Sequence, residues 1–312
     1  MPNSEFLIKR RTTRSPVSNP QSPFSKYHAL GNDYLIFDPN RQPPAMARGL
    51  TAEQAIAICD RQRGVGSDGI VYGPLVEEEK EEEKGDEKGD EQPGHFACVI
   101  WNPDGSQAEV SGNGLRIFAR YLVDAGYVDL AEAQECVLHS GGRAIPIRYG
   151  DQTDAPIRVE LGRAITGPGP ESLPADLLAT LGTPTSVDVG NPHCVFFPSA
   201  PIDEELTRRW GPVVENDPAF PNRTNVQFVR VIDRHVIAIE IWERGAGYTQ
   251  ASGSSSCGAA LAAISRGHCV SPVAVQMPGG ELIVDVTTNA DGWRVAVTGP
   301  VTAIFEGSWR LG

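Results

Sequence analysis

Short apolar runs recur along the chain, spaced too closely for long helices: YLIFDP, GIVYGP, FACVIWN, AIPIRY, IRVELG, HCVFFP, NVQFVRV, VIAIEIWE, VAVQMP, ELIVDV and WRVAVTG. Most are closed by Gly, Pro, Asn or Asp, the residues that punctuate strands. Helix signals are fewer. TAEQAIAICDRQ opens on Thr51 with Glu53 in its first turn, and acidic residues favour a helix N-terminus. GLRIFARYLVDAG and SCGAALAAISRG are apolar on most faces, which predicts helices buried all round. Strands dominate and helices seldom alternate with them, so the pattern predicts an α+β fold rather than a doubly wound parallel sheet.

The pattern also repeats. Ser111 stands 15 residues before Gly126 and Ser252 stands 15 before Gly267, each span being Ser-Gly, small polar residues and an apolar helix. Nine residues before each serine a strand closes on a polar residue, Asn102 in IWNPDG and Glu243 in IWERGAG, and the Ile-Trp pair repeats with it. Upstream, GND begins 80 residues before Ser111 and GNPH begins 62 before Ser252. The difference is close to the length of one acidic segment in the first half. Four coincidences in register predict a duplicated unit whose halves meet about a pseudo-two-fold axis.

Charge changes this picture little. The chain of 312 residues carries a formal charge of −13. Residues 77–92, EEEKEEEKGDEKGDEQ, hold ten acidic residues and three lysines, so −7 of it belongs there. Such a run stays solvated, and the insertion 77–94 reads as a disordered loop rather than a metal site. No basic patch calls for nucleic acid, and no apolar run reaches the ~18 to 20 residues of a membrane span. The Ser/Pro-rich stretch 1–24 reads as a disordered leader without a secretory signal. Six cysteines (59, 98, 136, 194, 257, 269) show no close pairing, the usage expected of a reduced, cytoplasmic protein.

A serine followed by glycine at a helix start offers unpaired amides and the positive end of the helix dipole, an anion site. Two such starts facing each other would grip one carboxylate and place a proton carrier on each face of the neighbouring carbon. That geometry suits removing a proton from one face and returning one to the other, with the developing charge stabilised by the helix ends. Ser111 and Ser252 as plain N-caps is the simpler alternative.

At these residues the chain resembles the diaminopimelate epimerase family. HALGNDYLIFDP, DRQRGVGSDG, WNPDGSQAEVSGNGLRIFARYL, VGNPHCVFFP, GPVVENDPAFPNRTNVQF, WERGAGYTQASGSSSCGAA and MPGGELIVDV are similar, in order, to that family's motifs, over about residues 25 to 308. The resemblance implies two similar lobes, each a mainly antiparallel β-barrel or cone around a central helix: 25–155 and 156–297, with 298–312 returning to the first. It implies catalysis without cofactor or metal, on a small amino-acid substrate, in the cleft between the lobes, and leaves room for a homodimer. Carried over motif by motif, substrate contacts fall at Asn32, Asn102, Asn191, Asn225, Glu243 and Arg244, and backbone contacts at Gly112-Asn113 and Gly253-Ser254. Arg244 suits a distal carboxylate, Glu243 an ammonium. Turn chemistry is the alternative for the asparagines.

The family's two bases are cysteines, standing where this chain has Ser111 and Ser252. A hydroxyl stays protonated at neutral pH unless a base sits beside it. Cys257 is about 140° round the helix from Ser252, and Cys194 follows GNPH in an apolar strand, so both read as packing residues. Tyr248, Ser254-Ser255 and Gly69 also stand where the family commonly has other residues; an engineered double replacement would leave such neighbours alone, which favours natural divergence. Tyr248, His193 or a bound water are the candidates to polarise the serines. The expectation is an epimerase converting LL- to meso-diaminopimelate, with a racemase of another amino acid, or a catalytically silent amino-acid-binding protein, as alternatives.

Overall fold

The computed structural model describes residues 21–75, 94–108 and 110–310. The expected leader, apart from residues 21–24, and the acidic insertion, apart from Gly94, lie outside them. The first half runs β1 (Gln21–Ala29), β2 (Asn32–Phe37), α1 (Ala52–Cys59), β3 (Gly69–Leu75), β4 (Gly94–Trp101), α2 (Gly112–Asp124), β5 (Glu135–Ser140), β6 (Arg143–Arg148) and β7 (Ile157–Pro168). The second runs α3 (Ala175–Leu181), β8 (Thr185–Asp188), β9 (Pro192–Phe196), α4 (Glu204–Glu215), β10 (Asn225–Val231), β11 (Val236–Glu243), β12 (Gly247–Thr249), α5 (Gly253–Ser265), β13 (Val273–Met277), β14 (Gly280–Asn289), β15 (Gly292–Gly299) and β16 (Thr302–Arg310).

Strand pairing shows the duplication directly. From β1 to β7 successive neighbours pair antiparallel, parallel, antiparallel, parallel, antiparallel, antiparallel. The same order repeats through β8, β9, β10, β11, β13, β14 and β15. A parallel pair cannot be joined by a tight turn and needs a crossover; α1 and α2 supply it in the first lobe, α4 and α5 at the matching places in the second. In the second lobe β15 returns to β7 and closes an eight-stranded barrel. In the first, β16 comes back to pair with β1, and no pairing joins it to β7 among the described residues. The repeats noted in the sequence fall on equivalent elements: GND and GNPH lead into β2 and β9, the Ile-Trp pairs end β4 and β11.

Both apolar helices run inside their lobes. Residues 112–119 of α2 and most of α5 are buried, and each ends on a glycine at positive φ, Gly126 at 77° and Gly267 at 74°, the left-handed stop that costs glycine least. The main core passes without a break from Tyr27 and Phe118 of the first lobe to Leu261 and Val297 of the second. Each lobe adds a smaller core on its outer face, α1 on β2 and β3, and α3 and α4 on β9 and β10.

Candidate active site

The two serines cap helices that meet head to head. Both have extended backbones; Ser111 Oγ accepts the Gly114 amide at 3.1 Å and Ser252 Oγ accepts the Ser255 amide at 3.4 Å. A Cβ added to Gly112 would lie 3.8 Å from Gly253 Cα, so the N-termini of α2 and α5 touch through their first residues. The amides of Gly112, Asn113, Gly253 and Ser254 belong to first turns, where a helix has no internal acceptor for them. Positive dipole ends thus converge on one point.

Around that point opens a cleft of about 880 Å³ shared by the two lobes. Its walls bring together Asn32, Asn102, Ser111, Gly112, Asn113, Asn191, Asn225, Glu243, Arg244, Tyr248, Ser252, Gly253 and Ser254, every residue singled out from the sequence except His193. The asparagines are locked in place. Asn32 donates to Asp68 at 3.0 Å and accepts from the side-chain Nδ2 of Asn113 at 2.9 Å; Asn225 donates to Pro192 O at 3.0 Å and accepts the Arg244 backbone amide at 3.0 Å. Asn102 donates to Ser106 within its turn. Arg244 is exposed, its guanidinium bonded among the described residues only to Asn222 O at 3.3 Å, which leaves it able to bind a carboxylate by its fork.

Near the helix junction stand a buried cation and a half-buried carboxyl. Arg116 is fully buried beneath the helix junction, bonded to Asn113 Oδ1 at 2.6 Å, with Nε and Nη1 unpartnered. Burial lowers its pKa to about 10, so it remains a cation at neutral pH and adds to the positive potential of the helix ends. Glu243 is pushed above the ordinary carboxylate value by burial, while the neighbouring hydroxyls of Ser252 and Thr249 pull it back. Thr249 makes no hydrogen bond of normal geometry, so these are close approaches rather than full bonds.

Neither group expected to polarise a serine does so directly. His193 is buried, its Nε2 is 2.8 Å from Asn191 Oδ1, and burial lowers its pKa to about 3, which keeps it neutral. Its ring packs on Gly258 in the middle of α5, away from the helix mouth. The Tyr248 hydroxyl donates to Glu240 at 2.9 Å, with Arg208 over its ring. The serines have other neighbours: Glu243 beside Ser252, and Tyr34, whose hydroxyl is 3.1 Å from Ser111 Oγ. Sequence reasoning missed Tyr34, Asp68 and Arg116. All three lie in motifs quoted for the family resemblance, Tyr34 in HALGNDYLIFDP, Asp68 in DRQRGVGSDG and Arg116 in SGNGLRIFARYL, but nothing in their spacing marked them out. All six cysteines are free and buried, their thiols raised by desolvation, so none substitutes for the serines.

Among solved structures, a phenazine biosynthesis protein of the PhzF family from Bacillus anthracis shares the fold with a TM-score of 0.68 at 13% identity, covering 93% of this chain and 99% of its own. A probable proline racemase from Agrobacterium radiobacter, with bound carbonate, does so at 0.64 and 13% identity, covering 93% of each chain. The likeness is one of fold: two lobes meeting at the N-termini of their central helices, over a shared cleft. In sequence, residues 24–166 and 185–304 match the profile of diaminopimelate epimerase. Diaminopimelate epimerase 2 of a Nostoc species is 41% identical over 91% of this chain and 94% of its own, and a Synechococcus diaminopimelate epimerase 34% over 91% and 97%. The chain belongs to the diaminopimelate epimerase family.

Proposed function

We propose that the protein inverts one α-carbon of diaminopimelate, LL to meso, by proton transfer across the cleft without a cofactor. The observation that carries this is the head-to-head meeting of two serine-capped helices beneath the Asn, Glu and Arg set. The reacting carboxylate is held by the amides of Gly112, Asn113, Gly253 and Ser254, with Arg116 below them. Arg244 takes the far carboxylate, and the asparagines orient the amino groups. Oriented donors that are fixed before reaction stabilise the charge that moves onto the carboxylate when the α-proton leaves.

Glu243 is the base of the α5 lip. The Ser252 oxygen takes the α-proton as its own proton passes to the Glu243 carboxylate, and the electron pair left on carbon delocalises into the bound carboxylate. A proton then arrives from the α2 lip through Ser111, on the opposite face. The nearby relatives' names support diaminopimelate, and Arg244 supports a substrate with a second acidic head. A homodimer acting in the cytoplasm is part of the same proposal, and sedimentation of the purified chain checks the assembly.

The test is proton exchange in D₂O followed by NMR. Deuterium entering the α-position of diaminopimelate, with interconversion of its stereoisomers, is the expected outcome. Incorporation only into another amino acid moves the substrate assignment; binding without exchange identifies a silent amino-acid-binding protein and removes the proposal.

A further inference from the structure

We propose that Tyr34 is the positioning residue of the α2 lip: its hydroxyl, seated over Gly69 and against Ser111, supplies the proton that Ser111 delivers to the substrate carbon and takes it back in the reverse reaction. This rests on the epimerase reading above. The geometry is specific. Tyr34 Oη lies 3.1 Å from Ser111 Oγ, and among the described residues no other side chain bonds to that serine. The tyrosine is 6% exposed, yet it lines the cleft. It therefore reaches the site from within the β-sheet wall.

Gly69 makes that reach available. It lies opposite Tyr34 in the parallel pairing of β2 and β3. A Cβ there would fall 2.5 Å from Tyr34 Cε1 and 2.8 Å from Trp101 O, closer than a real Cβ approaches. A side chain at 69 would have to displace the tyrosine ring or the Trp101 carbonyl from its place. The glycine is accordingly a seat cut for the tyrosine.

The lips are then chemically unlike, hydroxyl with carboxyl on α5 and hydroxyl with hydroxyl on α2. Burial lifts the Tyr34 hydroxyl above the ordinary tyrosine value, so it rests in the protonated form that a donor needs. In the forward direction the α-C–H bond breaks toward Ser252 and Glu243. A new C–H bond forms with the proton of Ser111, and Ser111 recovers a proton from Tyr34. Glu243 ends as the acid and Tyr34 as the phenolate, and return of one proton from the first to the second through the cleft resets the site.

The test compares Tyr34→Phe with the unmodified chain, each also carrying Ser111→Cys. Phenylalanine keeps the ring over Gly69. Loss of a proton carrier in general acid–base catalysis predicts a fall of about 10²-fold in kcat with KM little changed. In the Ser111→Cys pair the fall shrinks, because a thiol brings its own dissociable proton. Alkylation by iodoacetamide across pH reads the introduced thiol without turnover; loss of the tyrosine hydroxyl is expected to raise its apparent pKa. A kcat for Tyr34→Phe equal to that of the unmodified chain, with an unmoved thiol titration, overturns the Tyr34 assignment and leaves the epimerase reading intact. An unmodified chain that exchanges no amino acid overturns the epimerase reading, and the relay with it.

Discussion

A serine hydroxyl and a cysteine thiol occupy similar space and differ by several orders of magnitude in acidity, so the burden at positions 111 and 252 passes to their neighbours. In the mechanism proposed above, Glu243 bears it on the α5 side. Its raised pKa carries two consequences of opposite sign. As a base it must be ionised, so kcat is expected to rise with pH through a value above that of an ordinary carboxylate. As a group whose folded pKa exceeds its unfolded one, its contribution to stability is complete below the unfolded value and lost as pH rises through the folded one. Glu243→Gln should therefore lose activity by at least about 10²-fold while gaining thermal stability at neutral pH, a gain that vanishes in acid; kinetics and melting curves at two pH values check both. The six native thiols, buried and raised, should resist alkylation in the folded protein, whereas Ser252→Cys should add one reactive thiol, read by mass spectrometry. Ser111 and Ser252 were legible in the sequence because their spacing repeats. Tyr34 was not: it lies in YLIFDP, a run whose pattern says core strand, and its partner is 77 positions away in the chain.

At the scale of elements, α4 and the loop after β11 act as one device. Glu215, the last residue of α4, is buried and accepts from Trp242 Nε1 at 2.7 Å, from the Gly245 amide at 2.8 Å and from Arg223 at 3.1 Å. It thereby fixes the turn that presents Arg244. Gly211 lets α4 approach so closely that a Cβ would fall 2.4 Å from Trp242 Cγ. Glu215→Ala removes the acceptor shared by the half-buried Trp242 indole N–H and the Gly245 amide; urea unfolding should show a loss of about 0.5 to 1.5 kcal/mol per hydrogen bond, and KM should rise more than kcat falls. The strands announced by alternating apolar residues were legible, as was α1 with its Thr51 cap. Helix α4 gave no clear helical signal because Gly211 and Pro212, poor residues for a helix interior, stand inside it, although Asp203 caps it. Strand β16 was hidden because its side chains are mostly exposed, and only its pairing to β1 makes it a strand.

On the scale of the whole molecule, duplication explains why one cleft has two lips. Each half carries a helix inside a sheet wall, and the halves join where those helices begin, with a continuous core across the junction. The repeat was legible because it rests on spacing; the closure of the second lobe by β15 on β7 was not, since pairing between strands so far apart leaves no periodic trace. A ligand bridging both lobes should stabilise them together. At 100 times its Kd, diaminopimelate is expected to add about 2.7 kcal/mol to a single unfolding transition; two transitions, only one of them shifted, would show that a single lobe binds it.

In the mechanism proposed, an amino-acid α-carbon lies between Ser111 and Ser252. A crystal structure with diaminopimelate bound measures this directly. One α-carbon is expected about 3 to 3.5 Å from both serine oxygens, on opposite faces, with its carboxylate on the amides of Gly112, Asn113, Gly253 and Ser254. A carboxylate bound elsewhere in the cleft, or both serines on the same face of the carbon, would contradict it.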